Sequence, residues 1–118
     1  MRDLKNFPTI YLHTAPVDFR KSINGLGAVV ESELKMSSFE AALFVFCCKR
    51  RKKIKILYWD QTGFALWYKK LEENLFPWPR DYEEDVLAIN PKELRWLLSG
   101  IDFWNLKSHE TKKYKKMN

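Results

Sequence analysis

The sequence predicts an α+β fold: a small single domain in which an antiparallel β-meander of about four to five strands packs with two helices. Three observations lead to this prediction. The chain has 118 residues, enough for one domain with its own core. Hydrophobic residues make up 46% of it, as is typical of a folded protein. Short apolar segments alternate with turn residues along its length. We expect the domain to span residues 1–104 and a basic, disordered tail to follow at 105–118.

The N-terminal part of the chain predicts a strand and then a helix. Residues 7–13, FPTIYLH, are rich in β-branched and aromatic residues, which favour a strand. Pro16 ends this strand, and Asp18 or Ser22 can cap the helix that follows. The apolar positions of this helix recur at the spacing of one buried face. They are Phe19, Ile23, Leu26, Val29, Val30 and Leu34.

The middle of the chain predicts three antiparallel strands. Residues 43–48 form a continuous apolar run, as expected of a central strand that is covered on both faces. Residues 54–59 alternate between two faces, and residues 64–68 form the next strand. Turns at 49–52 and 60–63 connect the three strands.

The C-terminal part predicts a short strand at 86–89 and a second helix at 91–99. Asn90 is a good capping residue, and Pro91 suits the first helical position because it needs no hydrogen bond to its nitrogen. Gly100 can end the helix in the left-handed conformation.

The charge is concentrated in a way that suggests an anionic partner. The formal net charge is +6. Six of the seven residues at 49–55 are basic, and Arg20 with Lys21 forms a second patch. Basic clusters of this kind attract phosphate polymers. The alternative is a charged hairpin end that only prevents aggregation. The candidate DNA-binding residues are Lys49, Arg50, Arg51, Lys52, Lys53, Lys55, Arg20 and Lys21.

A second candidate surface would bind a protein. Residues 76–79, FPWP, are aromatic and extended, and an acidic segment follows them. This region could offer a docking point to a basic partner. The candidate partner-binding residues are Phe76, Trp78, Asp81, Glu83 and Glu84.

Four aromatic residues alternate on strands beside the basic turn. They are Tyr58, Trp59, Trp67 and Tyr68. On a sheet surface such residues stack on bases, whereas beneath a helix they form core. We expect most of the aromatic residues to be core.

No catalytic motif is recognisable. The four glycines do not form a phosphate-binding loop, and neither histidine lies near a nucleophile in a known motif. Asp18, Asp60 and Asp102 lie on three separate elements, but helix capping and turn formation explain them better than a metal site does. Gly63 would supply a positive φ if the turn after Asp60 needs one. We therefore expect no enzyme activity and no cofactor.

The cysteines and the hydropathy pattern point to the cytoplasm. Cys47 and Cys48 are adjacent, so in a strand they face opposite sides and are best explained as reduced thiols. Two cysteines without histidine at ligand spacing do not indicate zinc. No apolar run approaches the roughly 20 residues of a membrane span, and no signal peptide is recognisable.

Several segments resemble the signature motifs of the TnpB-type accessory proteins of insertion sequence 66 elements. VDFRKSINGL at 17–26 is similar to the family pattern D-[MF]-R-K-[GS]-I-[DN]-G-L. The other similar segments are ALFVF at 42–46, IKILYWDQTGF at 54–64, WYKKLE at 67–72, FPWP at 76–79 and LLSGID at 97–102. The matches come in the family's order and cover roughly residues 10–104.

The resemblance implies a non-catalytic accessory role in DNA transposition. Elements of this kind encode a large DDE-type transposase and smaller proteins, and this chain resembles one of the small ones. DNA, the transposase and the element's other proteins are the implied partners, and a membrane is not. Two readings stay open: direct contact with DNA phosphates through the basic turn, or an adaptor that binds the transposase without touching DNA. The oligomeric state is left open.

Overall fold

The computed structural model describes residues 9–79 and 82–104. The tail expected at 105–118 lies outside the described residues. Five strands and two helices follow one another along the chain. They are β1 (Thr9–His13), α1 (Ile23–Ser32), β2 (Ala42–Cys47), β3 (Lys53–Asp60), β4 (Gly63–Lys70), β5 (Val86–Ile89) and α2 (Pro91–Leu98).

The strands form one sheet in the order β4-β3-β2-β1-β5. β2, β3 and β4 form the expected antiparallel meander, and β5 runs antiparallel to β1. The α+β class is confirmed. The sheet is nevertheless mixed, because β1 runs parallel to β2. A parallel neighbour needs a crossover connection, and α1 lies within it.

Both faces of the sheet are covered. On one face, Phe44 and Phe46 of β2 pack with Leu26 and Val30 of α1. On the other, apolar residues of all the central strands pack with α2 and with two aromatic segments at 76–78 and 103–104. Every residue of β2 is therefore buried, as its continuous apolar run predicts.

The cap of α2 is confirmed in detail. The Asn90 side chain accepts a hydrogen bond from the Glu93 backbone nitrogen at 2.8 Å, and the Glu93 carboxylate accepts one from the Asn90 nitrogen at 3.0 Å. Pro91 occupies the start of the helix. Gly100 follows its end with a φ of 81°, in the left-handed region.

Two local predictions are wrong. Neither Asp18 nor Ser22 caps α1: Ser22 holds the cap position without a side-chain bond, and Asp18 binds Arg20 instead. In the turn between β3 and β4, the positive φ falls on Gln61, at 54°, and not on Gly63. Gly63 is instead paired with Asp60 as the first residue of β4, so the turn has only two central residues.

We predict that Asn90→Ala lowers the free energy of unfolding by about 1 kcal/mol, because the Glu93 amide loses its capping acceptor. The matched control is Asn24→Ala, on the exposed side of α1, which we expect to change stability by less than about 0.5 kcal/mol. Urea denaturation measures both. Equal midpoints for the two variants would contradict a stabilising cap.

Candidate functional site

The two basic segments meet at one end of the sheet. Cys47 ends β2, Lys53 begins β3 and Lys70 ends β4, with Lys53 and Lys70 directly paired. We call the end of the sheet that these residues form the upper end. The opposite end, with the turn after Asp60, is the lower end.

The basic turn between β2 and β3 spans residues 48–52 at the upper end. The Arg51 nitrogen donates to the Cys48 carbonyl at 3.0 Å, and the Cys48 nitrogen donates to the Lys53 carbonyl at 3.2 Å. Arg51 adopts a positive φ of 63°. Lys49 and Arg50 are exposed, whereas Arg51, Lys52 and Lys53 are half-buried. These backbone hydrogen bonds fix the shape of the turn that carries the exposed side chains of Lys49 and Arg50.

The chain after β4 supports this turn from outside the hairpin. The Leu71 nitrogen donates to the Lys52 carbonyl at 2.8 Å, and the Phe76 nitrogen donates to the Arg51 carbonyl at 2.7 Å. Phe76 is itself buried, so the turn is anchored to the core through its own backbone.

The loop that carries Arg20 and Lys21 lies at the same end. The Val17 nitrogen donates to the Cys47 carbonyl at 3.0 Å, which joins the loop to the last residue of β2. The Lys21 nitrogen donates to the Asp18 carbonyl at 3.0 Å and closes a turn. The two patches, separate in sequence, are thus neighbours in the fold.

Asp18 orients the Arg20 guanidinium. Its carboxylate accepts hydrogen bonds from Arg20 Nε at 2.9 Å and Nη2 at 2.6 Å, and from the Arg20 backbone nitrogen at 2.9 Å. The guanidinium bond, followed by the backbone bond, lowers the pKa of Asp18 from 3.8 to about 2. The same side-chain bond raises the pKa of Arg20. The Arg20 side chain is 92% exposed, so it can still reach a ligand.

The prediction of Lys55 as a DNA-binding residue is wrong, because its side chain does not face solvent. The residue is only 8% exposed, and Nζ donates to the carbonyls of Phe19 at 2.8 Å and Lys21 at 2.9 Å. Nζ also lies 5.0 Å from the Phe19 ring centre and 5.7 Å from that of Tyr68. Its ammonium is bound inside the fold, so Lys55 is not one of the cations that face solvent at the upper end.

Lys70 is a site residue that the sequence reasoning missed. It is exposed and lies directly opposite Lys53, on the same face of the sheet. Two like charges facing each other across strands are destabilising unless an anion neutralises them. The signal was present in the sequence: a two-residue turn at 61–62 sets the β3–β4 register and pairs these lysines. We call the resulting set the cationic surface; it comprises Arg20, Lys21, Lys49, Arg50, Arg51, Lys52, Lys53 and Lys70.

The candidate protein-binding residues are divided by the structure. Phe76 and Trp78 are 1% and 6% exposed, and Trp78 Nε1 donates to the Thr14 carbonyl at 3.0 Å. Their prediction as surface residues is wrong, since they form core beneath the sheet. Glu83 and Glu84 are exposed, as expected of contact residues. Asp81 lies outside the described residues.

The acidic residues lie at the upper end but on its other side. The Thr14 nitrogen donates to the Asp85 carbonyl at 3.0 Å, and its hydroxyl donates to the Glu84 carbonyl at 2.6 Å. Together with Pro79 and others, these residues line an open cleft of about 270 Å³. β5 and β4 are opposite edges of the sheet. The acidic residues beside β5 are therefore separated from the cationic surface on the β2–β3–β4 side by the width of the sheet.

The four aromatic residues have different surroundings. Tyr58 is buried and Trp67 packs against the same core, as expected of core residues. Trp59 packs against Phe64 at the lower end, with ring centres 5.0 Å apart. Tyr68 is 47% exposed and is therefore the one of the four that faces solvent beside the cationic surface.

The three aspartates do not assemble into one site. Asp18 lies at the upper end and Asp60 at the lower end, while Asp102 accepts a hydrogen bond from the Trp104 nitrogen at 3.1 Å. Within residues 9–79 and 82–104, no group of three or more His, Cys, Asp or Glu is arranged to hold a metal ion.

The His13 imidazole and the Cys47 thiol, two groups that can take part in chemistry, are both buried in the fold. His13 is buried, with Nδ1 2.7 Å from the Ala15 carbonyl and Nε2 2.7 Å from the Glu33 carboxylate. Cys47 is also buried, and burial raises the pKa of its thiol to about 12, which keeps it protonated.

The described residues thus define a small α+β domain whose main surface specialisation is a cluster of cations at one end of a mixed sheet. None of its helices is long and apolar enough to cross a membrane, as far as the described residues go. A family model described as IS66 Orf2 like protein matches residues 8–108. The chain belongs to this family of insertion-sequence accessory proteins.

Relatives in one bacterium are similar over most of their length. The chain is 36% identical over 104 residues to the uncharacterized protein y4jC of Sinorhizobium fredii strain NGR234, covering 88% of each chain. It is 33% identical over 94 residues to the uncharacterized protein y4hO of the same strain, covering 80% of this chain and 81% of the relative. No solved structure matches. Family membership gives the chain a transposition-associated accessory role, and the family is not a known catalytic one.

We predict that the Asp18 carboxylate titrates near pH 2 in the folded protein and that Arg20→Gln moves this midpoint up toward 3.8. The sign follows from the pairing: the ionised carboxylate is favoured, so the pair persists above pH 3.8 and is lost as the pH falls through about 2. NMR of the carboxyl carbon measures the midpoint. The control is Lys21→Gln, which should shift it less, because Lys21 is the smallest contributor. A wild-type midpoint near 3.8 would show that the pair does not form in solution.

Proposed function

We propose that the chain assists transposition of an insertion sequence 66 type element by contacting DNA phosphates through the cationic surface. The observation that carries this proposal is the convergence of two sequence-distant basic segments. The loop at 17–21 and the turn at 48–52 both attach to the end of β2, one through Val17 and the other by chain continuity.

The electrostatics of the upper end support a phosphate ligand. Lys53 and Lys70 are directly paired across β3 and β4, and a phosphate between them would relieve their repulsion. Arg20 is exposed and oriented by Asp18, which accepts from Nε and Nη2. The Nη1 side of the guanidinium therefore faces away from this pair and can donate to a phosphate.

The arrangement favours positioning over reading of sequence. Lysine and arginine contacts to phosphate fix the register of a protein on DNA but carry no base information. The acidic segment on the β5 side repels phosphate, so the DNA would pass over the β2–β3–β4 side of the upper end.

The experiment is fluorescence anisotropy with labelled duplexes at rising salt, one from the element's terminal repeat and one scrambled. We expect Lys49→Gln with Arg50→Gln to weaken binding to both duplexes similarly. The slope of log affinity against log salt should become shallower by about 1.8, because two phosphate contacts are lost.

The matched control is Lys35→Gln with Lys92→Gln, which removes the same charge from exposed residues. Both residues lie toward the lower end, since Lys35 follows α1 before β2 begins and Lys92 follows the last residue of β5. We expect the control to keep the wild-type slope. Equal losses in the two pairs would mean that only net charge matters, and no binding by the wild type at about 50 mM salt would overturn the DNA-contact proposal.

The second candidate function is an adaptor that binds the transposase or another protein of the element. Exposed Glu83 and Glu84 beside the open cleft favour it, since they could meet a basic segment of a partner. We expect Glu83→Gln with Glu84→Gln to reduce retention of purified transposase in a pull-down at low salt. Glu72→Gln with Glu73→Gln is the control, because these exposed acids are not among the residues that line the cleft. Undiminished retention by the first pair would exclude the cleft as the contact.

A further inference from the structure

Lys55 is a charged residue that is buried within β3, where charged side chains are uncommon. It lies between Phe46 of β2 and Tyr68 of β4, is 8% exposed, and donates hydrogen bonds to main-chain carbonyls of the loop at 17–21. A buried ammonium without partners is costly, so these carbonyls and the nearby aromatic rings stabilise it. The loop in turn depends on Lys55 for two charge-assisted bonds.

The carbonyls that Lys55 binds belong to the residues on either side of Arg20. They are those of Phe19 and Lys21. The Phe19 ring also packs edge-on against Tyr68 of β4, with ring centres 6.2 Å apart. The loop is therefore held against both strands that carry Lys53 and Lys70.

A second contact shows that the loop is closely fitted. Gly25 of α1 faces the Lys21 side chain, and a Cβ at Gly25 would come within 3.1 Å of Lys21 Cβ. The loop thus contacts the first turn of α1 as well as the sheet, and Lys55 binds it from the sheet side while the Arg20 side chain stays exposed.

We propose that Lys55 is a positioning residue that joins the two basic segments into one DNA-binding surface. Its ammonium fixes the loop so that Arg20 and Lys21 lie beside Lys53 and Lys70, and Lys55 itself does not touch DNA. This inference rests on the proposed function for its DNA readout, but the position of the loop can be tested without DNA.

The test variant is Lys55→Met, which keeps an unbranched apolar side chain over the rings and removes the donor. Lys69→Met is the matched control: Lys69 Nζ also donates to a backbone carbonyl, that of Leu98 at 2.9 Å, from the opposite face of the sheet. Both variants lose one charge and their lysine-to-carbonyl bonds, two in Lys55→Met and one in Lys69→Met, but only the first releases the loop.

Limited trypsin digestion followed by mass spectrometry tests the position of the loop. Lys55→Met removes two charge-assisted hydrogen bonds to the loop, and one such bond is worth a factor of about ten. We therefore expect cleavage after Arg20 and Lys21 to accelerate by about tenfold or more. Cleavage after Arg50 is the internal reference and should keep its wild-type rate, and in Lys69→Met the sites at Arg20, Lys21 and Arg50 should keep theirs. Unchanged cleavage after Arg20 and Lys21 would overturn the proposal that Lys55 holds the loop in place.

A mutant cycle tests the effect on DNA. In anisotropy, Lys55→Met should weaken binding and make the salt slope shallower by about 1.8, as Arg20→Gln with Lys21→Gln does. Adding Lys55→Met to that pair should have no further effect, because the loop's charges are already gone. A further drop of the size of one phosphate contact would show that Lys55 binds DNA directly, which overturns the proposal.

A measurement on the wild-type protein covers the case in which Lys55→Met does not fold. The NMR signal of Lys55 Nζ should stay in place when duplex DNA is added, while that of Arg20 Nε shifts. A shift of the Lys55 signal as large as that of Arg20 would contradict a positioning role. If the wild type binds no DNA at all, the proposed function fails, and the digestion alone then decides whether Lys55 holds the loop.

Discussion

The burial of β2 on both faces is the constraint on which the rest of the structure depends. A strand with six buried residues needs a layer on each side. α1 supplies one layer, and α2 with two aromatic segments supplies the other. Each fully buried Phe or Leu contributes about 1.5–3 kcal/mol relative to exposure, so both layers matter to the stability of so small a domain.

This arrangement also decides which loops meet. Because β1 and β2 are parallel, the segments that leave them emerge at the same end of the sheet. The segment after β1 carries Arg20 and Lys21, and the segment after β2 carries the lysine-rich turn. An antiparallel β1 would have left these two segments at opposite ends. The parallel pair is thus the topological origin of the cationic surface.

The sequence predicts local structure well where the conformation depends only on residues that are close together in the chain. The capping box at Asn90, the glycine after α2 and the continuous burial of β2 all follow from short-range chemistry. The parallel β1–β2 pair does not, since it depends on how α1 crosses the sheet. The capping role predicted for Asp18 failed because α1 begins only at Ile23, so Asp18 lies in the preceding loop and binds Arg20 there.

In the candidate site, too, features that depend on neighbouring residues could be predicted, and features that depend on tertiary packing could not. The charge run at 49–55 could be recognised, but alternation along β3 does not reveal that one of its lysines, Lys55, is covered by a loop from another part of the chain. Phe76 and Trp78 were misplaced for a related reason, because an aromatic segment between prolines can be surface or core according to what it meets. Lys55 lies in one family segment and the loop it binds in another, so two motifs that are separate in sequence are in contact in the fold.

The support of the basic turn by the chain after β4 has a consequence for how the turn can evolve. Its carbonyls at Arg51 and Lys52 are bound by Phe76 and Leu71, and Cys48 pairs with Lys53 across it. An inserted residue would shift these carbonyls away from their donors, whereas exchanges at Lys49 and Arg50 leave every one of these bonds intact. The turn has in effect a fixed length and a free choice of side chains, so selection can retune its charge without rebuilding its shape.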